Sequence, residues 1–513
     1  MSEAAQTTQP ADQPWWATFE VVCLATLGGA LAMSLATITI PGSFPNIVAP
    51  ALVAAVLVAG FAWRPTAGLV AFSLFILFYD TIAFFLGSPL RRVDEMAVPA
   101  LVIVALVRLR PWRYVRIEPV RDGAVAVAVA LGILSSLVNG VPAGIWIPAL
   151  GLLWKTVAIF YIATWLQIDR RSIIGAARVV LSVGFVVVGL AFIESFNPSG
   201  FQGFLGLPQW YRPRGQLPAV KSLFLHPAIF ASFAGLVALY AYTSYVEYRK
   251  VWMLVLGTFA GMTVFFAARR RAIIGVVAAL AAAFGWSWRR LAEHRLLLRS
   301  WLPVMASGVV LFLIFTPGLL GLYDKTLIGY APQPTDLPTP PPGMEPDDGE
   351  GRVGTQARSA LYGASFEIAQ DYFPLGAGLG RYGSHMSRVE YSPVYETYDL
   401  NRVRGLQPGN PQFITDTFWP MILGEGGVLA VLAYATFLLA VLLSIWVGAG
   451  RQADRLVRTF CLGTLAVLVL ALVESAATPM FVSPPRAFLI FAAVGAAVAV
   501  IRRPPASEDA YPG

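Results

Sequence analysis

The chain has 513 residues, of which 57% are hydrophobic and only 13% are charged. That is about half the charged fraction of a soluble globular protein. The formal net charge is +8, and the apolar residues lie in long unbroken blocks without sheet-like alternation. These features exclude a water-soluble enzyme, a nucleic-acid-binding protein and an outer-membrane barrel. The two cysteines lie inside apolar blocks, so we expect neither a disulfide framework nor a metal site from them. The composition therefore predicts an all-α polytopic membrane protein.

The apolar blocks, taken in chain order, predict about 12–14 transmembrane helices, since a helix that crosses a bilayer needs roughly 17–25 residues. The block at 96–109 is shorter than the others, and it is interpreted as a full span, a half-buried helix or a re-entrant segment. The other blocks cover residues 16–40, 46–63, 66–86, 123–139, 144–167, 172–196, 225–246, 251–268, 272–288, 300–323, 417–447, 459–480 and 483–501.

Basic residues in the short loops predict the orientation of the chain. Loops on one side of the predicted bilayer carry 20 lysines and arginines, and loops on the other side carry nine. The positive-inside rule therefore places both termini in the cytoplasm. The first tail lacks a basic segment and a cleavage motif, which argues against a cleaved signal peptide. The predicted organisation is a cytosolic tail (1–15), transmembrane helices (16–323), a large extracytoplasmic loop (324–416), C-terminal transmembrane helices (417–501) and a second cytosolic tail (502–513).

The large predicted loop contains two segments of different character. Residues 331–351 are rich in proline and acidic residues and lack an apolar pattern, which predicts a mobile strap. Residues 354–373 have helical spacing. We expect an amphipathic helix there, lying on the outer membrane surface or over a cavity. Its predicted apolar face comprises Leu361, Ala364, Ile368 and Tyr372.

Several basic residues on the predicted outer side run against the positive-inside trend. Arginine in this place suits a bound polyanion, because its guanidinium can pair with two phosphate oxygens at once. The alternative interpretation is that these residues contact anionic lipid headgroups or loop carboxylates. The three groups are Arg212, Arg214 and Lys221; Arg269, Arg270 and Arg271; and Arg381, Arg388, Arg402 and Arg404.

Some ionisable residues fall within or near the predicted spans, where a charge is costly and is usually paired or lines a cavity. For Lys155, Glu474 and Asp80, a structural ion pair and a substrate contact are both open interpretations. His226 stands at the start of a predicted span, where it can initiate the helix. His385 falls clearly in the outer loop, which makes it a candidate for proton transfer.

Two stretches in the middle of the chain carry a family resemblance. They read RPRGQLPAVKSLFLHPAIFASFAGL and FFAARRRAIIG. In order, they resemble two motifs of the O-antigen ligase and Wzy-type O-antigen (exopolysaccharide) polymerase superfamily. Arg212 or Arg214 matches the arginine of the first motif. Arg270 matches the arginine of the second motif, while Arg269 and Arg271 take the places of its serine and its glycine.

Two further stretches extend this resemblance, which covers about residues 200–445. RSALYGASFEIAQDYFPLGAGLGRYGSH, which contains Arg358 and Arg381, looks like the arginine, amphipathic helix and Pro-Leu-x-Gly-x-Gly turn of the family's large outer loop. DTFWPMILGEGGVLA is similar to the family's His-Asn-x-Tyr segment that leads into Glu-x-Gly. Matching Glu425 to that glutamate puts Asp416 where the family has its histidine.

The resemblance implies a GT-C-like, metal-independent glycosyltransferase without a cofactor, at the outer face of the bacterial inner membrane. Its donor would be an oligosaccharide linked to undecaprenyl pyrophosphate. Its partners would include membrane lipids and, as candidates, a flippase or a chain-length regulator. The leading hypothesis is a polymerase that joins lipid-linked repeat units into a surface polysaccharide. The alternatives are a ligase that transfers the glycan to a lipid or protein acceptor and, in another class, a polysaccharide or lipid transporter.

The implied reaction assigns two roles to the candidate residues. Departing pyrophosphate needs cationic stabilisation, and the acceptor hydroxyl needs a base. The outer candidates for the base are Asp416, His385 and Glu367, with Asp416 first and His385 second. Asp416 could instead cap a helix that begins at 417. Arg270 is also predicted to be catalytic. The arginines expected to bind pyrophosphate are Arg212, Arg214, Arg269, Arg270 and Arg271. Further candidate contacts are Arg358, Arg381, Glu425, Lys155 and His226.

Overall fold

The structure, a computed structural model, describes residues 45–113, 117–208, 219–290, 294–327 and 350–502. The described residues form helices and connecting turns, and no strand occurs among them. The predictions outside the described residues concern the tail 1–15, the block 16–40, Arg212, Arg214, nearly all of the segment 331–351 and the tail beyond residue 502.

Seventeen α-helices follow one another along the described residues. The first ten are α1 (Pro45–Trp63), α2 (Pro65–Leu86), α3 (Val93–Leu109), α4 (Pro119–Val138), α5 (Ala143–Thr164), α6 (Arg170–Phe196), α7 (Pro198–Phe204), α8 (Pro227–Tyr248), α9 (Val251–Phe266) and α10 (Arg270–Arg290). The remaining seven are α11 (His294–Leu327), α12 (Glu350–Asp371), α13 (His385–Val389), α14 (Val394–Thr397), α15 (Trp419–Arg451), α16 (Arg455–Ser475) and α17 (Pro484–Ile501).

Local sequence signals explain where many of these helices begin. Pro119, Pro227 and Pro484 each occupy a first helical position, where the missing N–H would have no partner within the helix. Asp169 and Asp454 cap α6 and α16 by accepting the N–H groups of the first turn. The long apolar stretches between these signals then continue as helices.

Nine helices of the described residues are long and apolar enough to cross a membrane, namely α2, α4, α5, α6, α8, α10, α15, α16 and α17. Three shorter apolar helices cover Ile47–Trp63, Val251–Phe266 and Arg299–Phe315. Every predicted apolar block within the described residues coincides with one of these helices or, for the short block at 96–109, with α3. The predicted all-α polytopic membrane fold is therefore confirmed.

The connections that follow α4 and α16 lie at one end of the bundle, which we call the loop face. Residues 372–418 lie there, held to the bundle by side-chain hydrogen bonds. Asn139, after α4, donates to the Gly376 carbonyl at 2.8 Å. Tyr362 of α12 donates to the carbonyl of Ala476, after α16, at 2.7 Å. The loop is thus fastened to the ends of several apolar helices.

The predicted amphipathic helix is present as α12, and its apolar face packs against other parts of the loop. Leu361, Ala364 and Ile368 are buried in a small core that includes Tyr382 and Tyr395. The tyrosine rings are stacked 5.8 Å apart. The apolar face of α12 is therefore covered by the loop's own core instead of a membrane surface.

Candidate anion-binding site

Charged side chains from separate segments meet at the loop face. Helices α10 and α17 begin there and α16 ends there, so their terminal residues approach one another. The loop contributes α12 and the residues just before α15. We call the following six residues the cationic cluster: Arg269, Arg271, Arg358, Asp416, Glu474 and Arg486.

Arg358 and Asp416 form the more accessible part of the cationic cluster. Arg358 Nη2 donates to Asp416 Oδ2 at 2.5 Å, and the two side chains are 27% and 31% exposed. Helix α15 begins at Trp419, with Phe418 in the cap position and no side chain capping it. The interpretation of Asp416 as a helix cap is therefore wrong, and the carboxylate is available for other contacts.

Arg271 lies in the first turn of α10. Its Nη1 donates to the carbonyl oxygen of Ala477, in the connection between α16 and α17. Four other members of the cationic cluster are its electrostatic neighbours, and they come from α12, α16, α17 and the end of the loop. Arg270, predicted from the sequence to be catalytic, precedes Arg271 in the chain and is half-buried. Arg271 and Arg269, the residue just before α10, are thus the members of the triplet that belong to the cluster.

Glu474 and Arg486 form the deepest part of the cationic cluster. Their side chains are 2% and 7% exposed, and Arg486 Nη1 lies 4.0 Å from Glu474 Oε2. Ser232 of α8 donates to the same carboxylate oxygen at 2.6 Å. Of the two interpretations left open for Glu474, the structural ion pair is present, although its separation exceeds a hydrogen bond.

His226 connects α8 to the cationic cluster. Its Nδ1 accepts the Ala228 N–H at 3.1 Å, so the predicted role in starting the helix is confirmed. Its Nε2 lies 3.3 Å from Arg269 Nη2. A neutral imidazole that accepts at Nδ1 carries its proton on Nε2. The two nitrogens can then donate to one acceptor that lies beside the pair.

The charge of the cationic cluster favours an anion. Four guanidinium groups and two carboxylates leave two positive charges in excess. Residues at the N-termini of α8, α10 and α17 are neighbours here, since His226 contacts Arg269 and Arg271 interacts electrostatically with Arg486. Helix N-termini carry partial positive charge and unsatisfied N–H groups. Burial of Arg486 also separates part of the cluster from lipid headgroups. A compact ligand with several anionic oxygens fits this arrangement.

Glu425, a candidate contact from the sequence, organises the turn of the third motif. Its Oε1 accepts the N–H groups of Gly380 and Tyr382 at 2.9 and 3.1 Å. Its backbone carbonyl accepts the Gly378 N–H at 3.0 Å and the Ser135 hydroxyl at 2.9 Å. Glu425 thus joins the third and fourth motifs to the end of α4. Its contacts are structural.

Glycines allow this turn to approach α15 closely. A Cβ on Gly376 would lie 2.5 Å from the backbone of Gly424 and Glu425. Gly427 has a φ of 77°, a left-handed conformation that interrupts the regular geometry of α15. A Cβ there would meet the backbone of Leu375 at 2.5 Å. The glycines of both motifs therefore serve backbone-to-backbone packing.

The electrostatic neighbours of His385 are Arg388 and Lys155, which lie outside the cationic cluster as defined above. His385 begins the short helix α13, and burial lowers the pKa of its imidazole, with the positive charges of Arg388 and Lys155 lowering it further. Lys155 donates to Asp94 at 2.5 Å, and both side chains are largely buried. Of the two interpretations left open for Lys155, the structural ion pair is present. His385 and Asp416 thus lie in different electrostatic surroundings.

Other sequence candidates near the loop face have structural contacts. Lys221 is buried, and its ammonium donates to the Pro208 carbonyl at 2.6 Å. Asp80 pairs with Arg91 at 3.0 Å. Arg381 is half-buried in the turn that Glu425 organises. Arg486 was not a candidate from the sequence, because it is one of several basic residues near the ends of predicted spans.

Comparison with protein-family models finds no family that matches the chain. Comparison with curated proteins finds no match either. Within the described residues, no group of three or more His, Cys, Asp or Glu side chains could hold a metal ion.

Proposed function

We propose that this protein is a membrane glycosyltransferase that uses a glycan linked to a polyprenyl diphosphate as its donor. The observation that carries the proposal is the convergence of Arg269, Arg271, Arg358 and Asp416 with the buried Arg486. These residues come from distant parts of the chain. Their excess of positive charge suits a diphosphate, the leaving group of such a reaction.

The proposed reaction is a displacement at the anomeric carbon of the donor. The acceptor oxygen forms a bond to that carbon, while the bond from the carbon to the diphosphate oxygen breaks. The leaving diphosphate gains negative charge as the bond breaks. Guanidinium groups that already surround it stabilise this charge without reorganising during the reaction. Arg269, Arg271 and Arg486 are the proposed diphosphate contacts.

Asp416 is the proposed proton acceptor. Its Oδ2 is engaged by Arg358, which fixes the orientation of the carboxylate and leaves Oδ1 for an acceptor hydroxyl. The partial exposure of the pair gives a polar acceptor access from the loop face. The hydroxyl proton would pass to Asp416 and later to the departing diphosphate or water. His385, with its separate surroundings, is the less favoured base.

We further propose that the loop face is the extracytoplasmic face of the bacterial inner membrane, and that the acceptor is another lipid-linked unit. The positive-inside distribution of the short loops supports this orientation. The reaction would lengthen a surface polysaccharide while it remains on polyprenyl diphosphate. A ligase would use the same donor site with a different acceptor.

Deletion of the gene in its own bacterium tests the proposal, with lipid-linked glycans extracted and sized. A polymerase deletion leaves single repeat units on polyprenyl diphosphate. A ligase deletion accumulates full-length glycan on that lipid. That result would change the assignment from a polymerase to a ligase. Units retained on the cytoplasmic leaflet would instead indicate a transporter and reject the enzyme assignment. The deletion strain is then complemented with the wild-type gene and, separately, with Arg271→Ala. The comparison distinguishes the effect of an altered site from the effect of the missing protein.

A further inference from the structure

Arg486 has an unusual combination of burial and unused hydrogen-bonding capacity. Its side chain is 7% exposed. Its Nε and Nη1 have no hydrogen-bond partner among the residues that the structure describes. The nearest carboxylate oxygen, on Glu474, is 4.0 Å from Nη1. A buried guanidinium with unsatisfied donors is costly, so this position favours binding of an additional acceptor.

The surroundings hold Arg486 at a fixed depth in the cationic cluster. It stands in the first turn of α17, close to the helix N-terminus. Glu474 supplies a counter-charge from α16, and that carboxylate is itself fixed by the Ser232 hydroxyl at 2.6 Å. Burial and this counter-charge therefore restrict the guanidinium before any ligand binds. Preorganised donors of this kind bind anions without a large ordering cost.

The cationic cluster has two levels. The outer level is the pair of Arg358 and Asp416, about a quarter to a third exposed, in which Arg358 Nη2 is already engaged. The inner level contains Arg486, with spare donors, and Arg271, which is fixed to the Ala477 carbonyl. A single phosphate group could satisfy donors at one level. Two linked phosphate groups could satisfy both.

The geometry points to Arg486 as a specificity-determining residue that makes the cationic cluster select lipid diphosphates over lipid monophosphates. The inference rests on the proposed function, because it concerns the same site. The inner phosphate would accept from Arg486 Nε and Nη1, while the outer phosphate would lie among the guanidinium groups nearer the surface. The excess of two positive charges in the cluster matches the charge of a diphosphate diester.

Binding of farnesyl diphosphate and farnesyl monophosphate to the purified full-length protein in detergent tests the inference. We expect the wild type to prefer the diphosphate by about tenfold or more, the effect of a hydrogen bond to a charged group. Arg486→Gln should abolish the preference by weakening diphosphate binding alone. Arg486→Lys should retain part of it, because a point charge replaces two directed donors.

The matched control is Arg458→Gln. Arg458 does not belong to the cationic cluster, and its Nη2 lies 2.6 Å from Glu247 Oε2. This variant should keep the wild-type preference. Thermal melting without ligand identifies a variant that does not fold. If Arg486→Gln does not fold, the binding preference of Arg486→Lys is used in its place. An undiminished diphosphate preference in Arg486→Gln, or in Arg486→Lys if the first variant unfolds, overturns the inference.

The same measurements distinguish failure of this inference from failure of the proposed function. Polymer formation by the wild type together with an unchanged preference in Arg486→Gln rejects the specificity role alone. The binding assay and the gene deletion can also disagree. If the diphosphate preference depends on Arg486 but deletion of the gene leaves all glycans unchanged, the binding site is supported and the glycosyltransferase function is rejected. Equal binding of the two lipids by the wild type rejects the inference directly.

Discussion

Arg358 and Asp416 are 58 residues apart in the sequence, and Arg358 Nη2 donates to Asp416 Oδ2 at 2.5 Å in the structure. The pair joins helix α12 to the segment that leads into α15. Because it belongs to the cationic cluster, the position of the loop and the charge distribution of the candidate site are physically coupled.

Removal of the Asp416 carboxylate charge should separate proton transfer from donor binding. Asp416→Asn keeps one oxygen for Arg358 but cannot accept a proton, so we expect turnover to fall about 10²–10⁴-fold. Farnesyl diphosphate should bind at least as tightly, because the cationic cluster loses a negative charge. Turnover and ligand binding are measured on the same purified protein. Wild-type turnover in Asp416→Asn would remove the base from the mechanism.

Loss of the Arg271 guanidinium should remove stabilisation of the leaving group. We expect Arg271→Ala to lower turnover about 10²–10³-fold, comparable with removal of another preorganised charge-stabilising donor. Arg271→Lys should recover little, since it lacks the fork of donors. Arg402→Ala is the control, because that side chain is 81% exposed and pairs only weakly with Asp399 at 3.4 Å. Equal activity of Arg271→Ala and the control would contradict the proposal.

Membrane orientation can be tested with two matched glutamines. Gln412 lies exposed at the loop face, and Gln167 lies exposed in the connection between α5 and α6. In a cysteine-free background of intact spheroplasts, an impermeant maleimide should label Gln412→Cys and spare Gln167→Cys. Permeabilised spheroplasts should show labelling of both. The reverse pattern in intact spheroplasts would place the cationic cluster in the cytoplasm and reject the proposed reaction.

The close approach at Gly376 predicts a stability effect. Gly376→Ala places a Cβ against the backbone of Gly424 and Glu425 and should cost ~1–3 kcal/mol, the usual range for overpacking. Gly363→Ala is the matched control, because that helical glycine has open space around its Cα. The control should be neutral or stabilise by up to ~1 kcal/mol through helix propensity. Thermal melts that rank the two variants equally would contradict this packing.

His385 should make stability depend on pH. Burial, with Arg388 and Lys155, lowers its pKa in the folded state, so the unfolded chain binds the proton more readily. The contribution to stability is complete above the unfolded pKa of about 6.5 and is lost as pH falls towards the folded pKa. Lys155 is itself paired with Asp94.

Melting temperatures of the wild type and His385→Gln between pH 5 and 8 check this effect. The wild type should lose more stability on the acid side, while Gln removes the titration. His385→Gln should also keep most of its turnover at neutral pH, because Asp416 is the proposed base. Parallel pH profiles of the two proteins would exclude the titration, and loss of turnover would restore His385 as a candidate base.

The helices were predictable because their signals are local. Adjacent residues are enough to predict where a helix lies, as in the apolar block 144–167, or where it begins, as at the capping residue Asp454. The amphipathic spacing that predicts α12 is equally local. The residues that cover the apolar face of α12 could not be predicted from local sequence, because Tyr382 and Tyr395 reach that face only through the tertiary fold of the loop.

The candidate site was predictable in its parts and not in its assembly. Arg271 and Asp416 stood out by charge and motif position, but their proximity depends on how α10 and α15 each pack against α16. The contribution of Arg486 was hidden because an arginine near the end of a span usually contacts lipid headgroups. Glu425 accepts backbone N–H groups of Gly380 and Tyr382, and no side-chain pattern indicates such a partner.

The cationic cluster draws its members from two structurally different sources. Arg271, Glu474 and Arg486 belong to helices of the apolar bundle, whereas Arg358 and Asp416 belong to the loop, which has its own small core. Substitutions in the loop core can therefore reshape the exposed half of the cluster while leaving the buried half unchanged. Recognition of the acceptor could diversify in this way while the donor contacts stay constant.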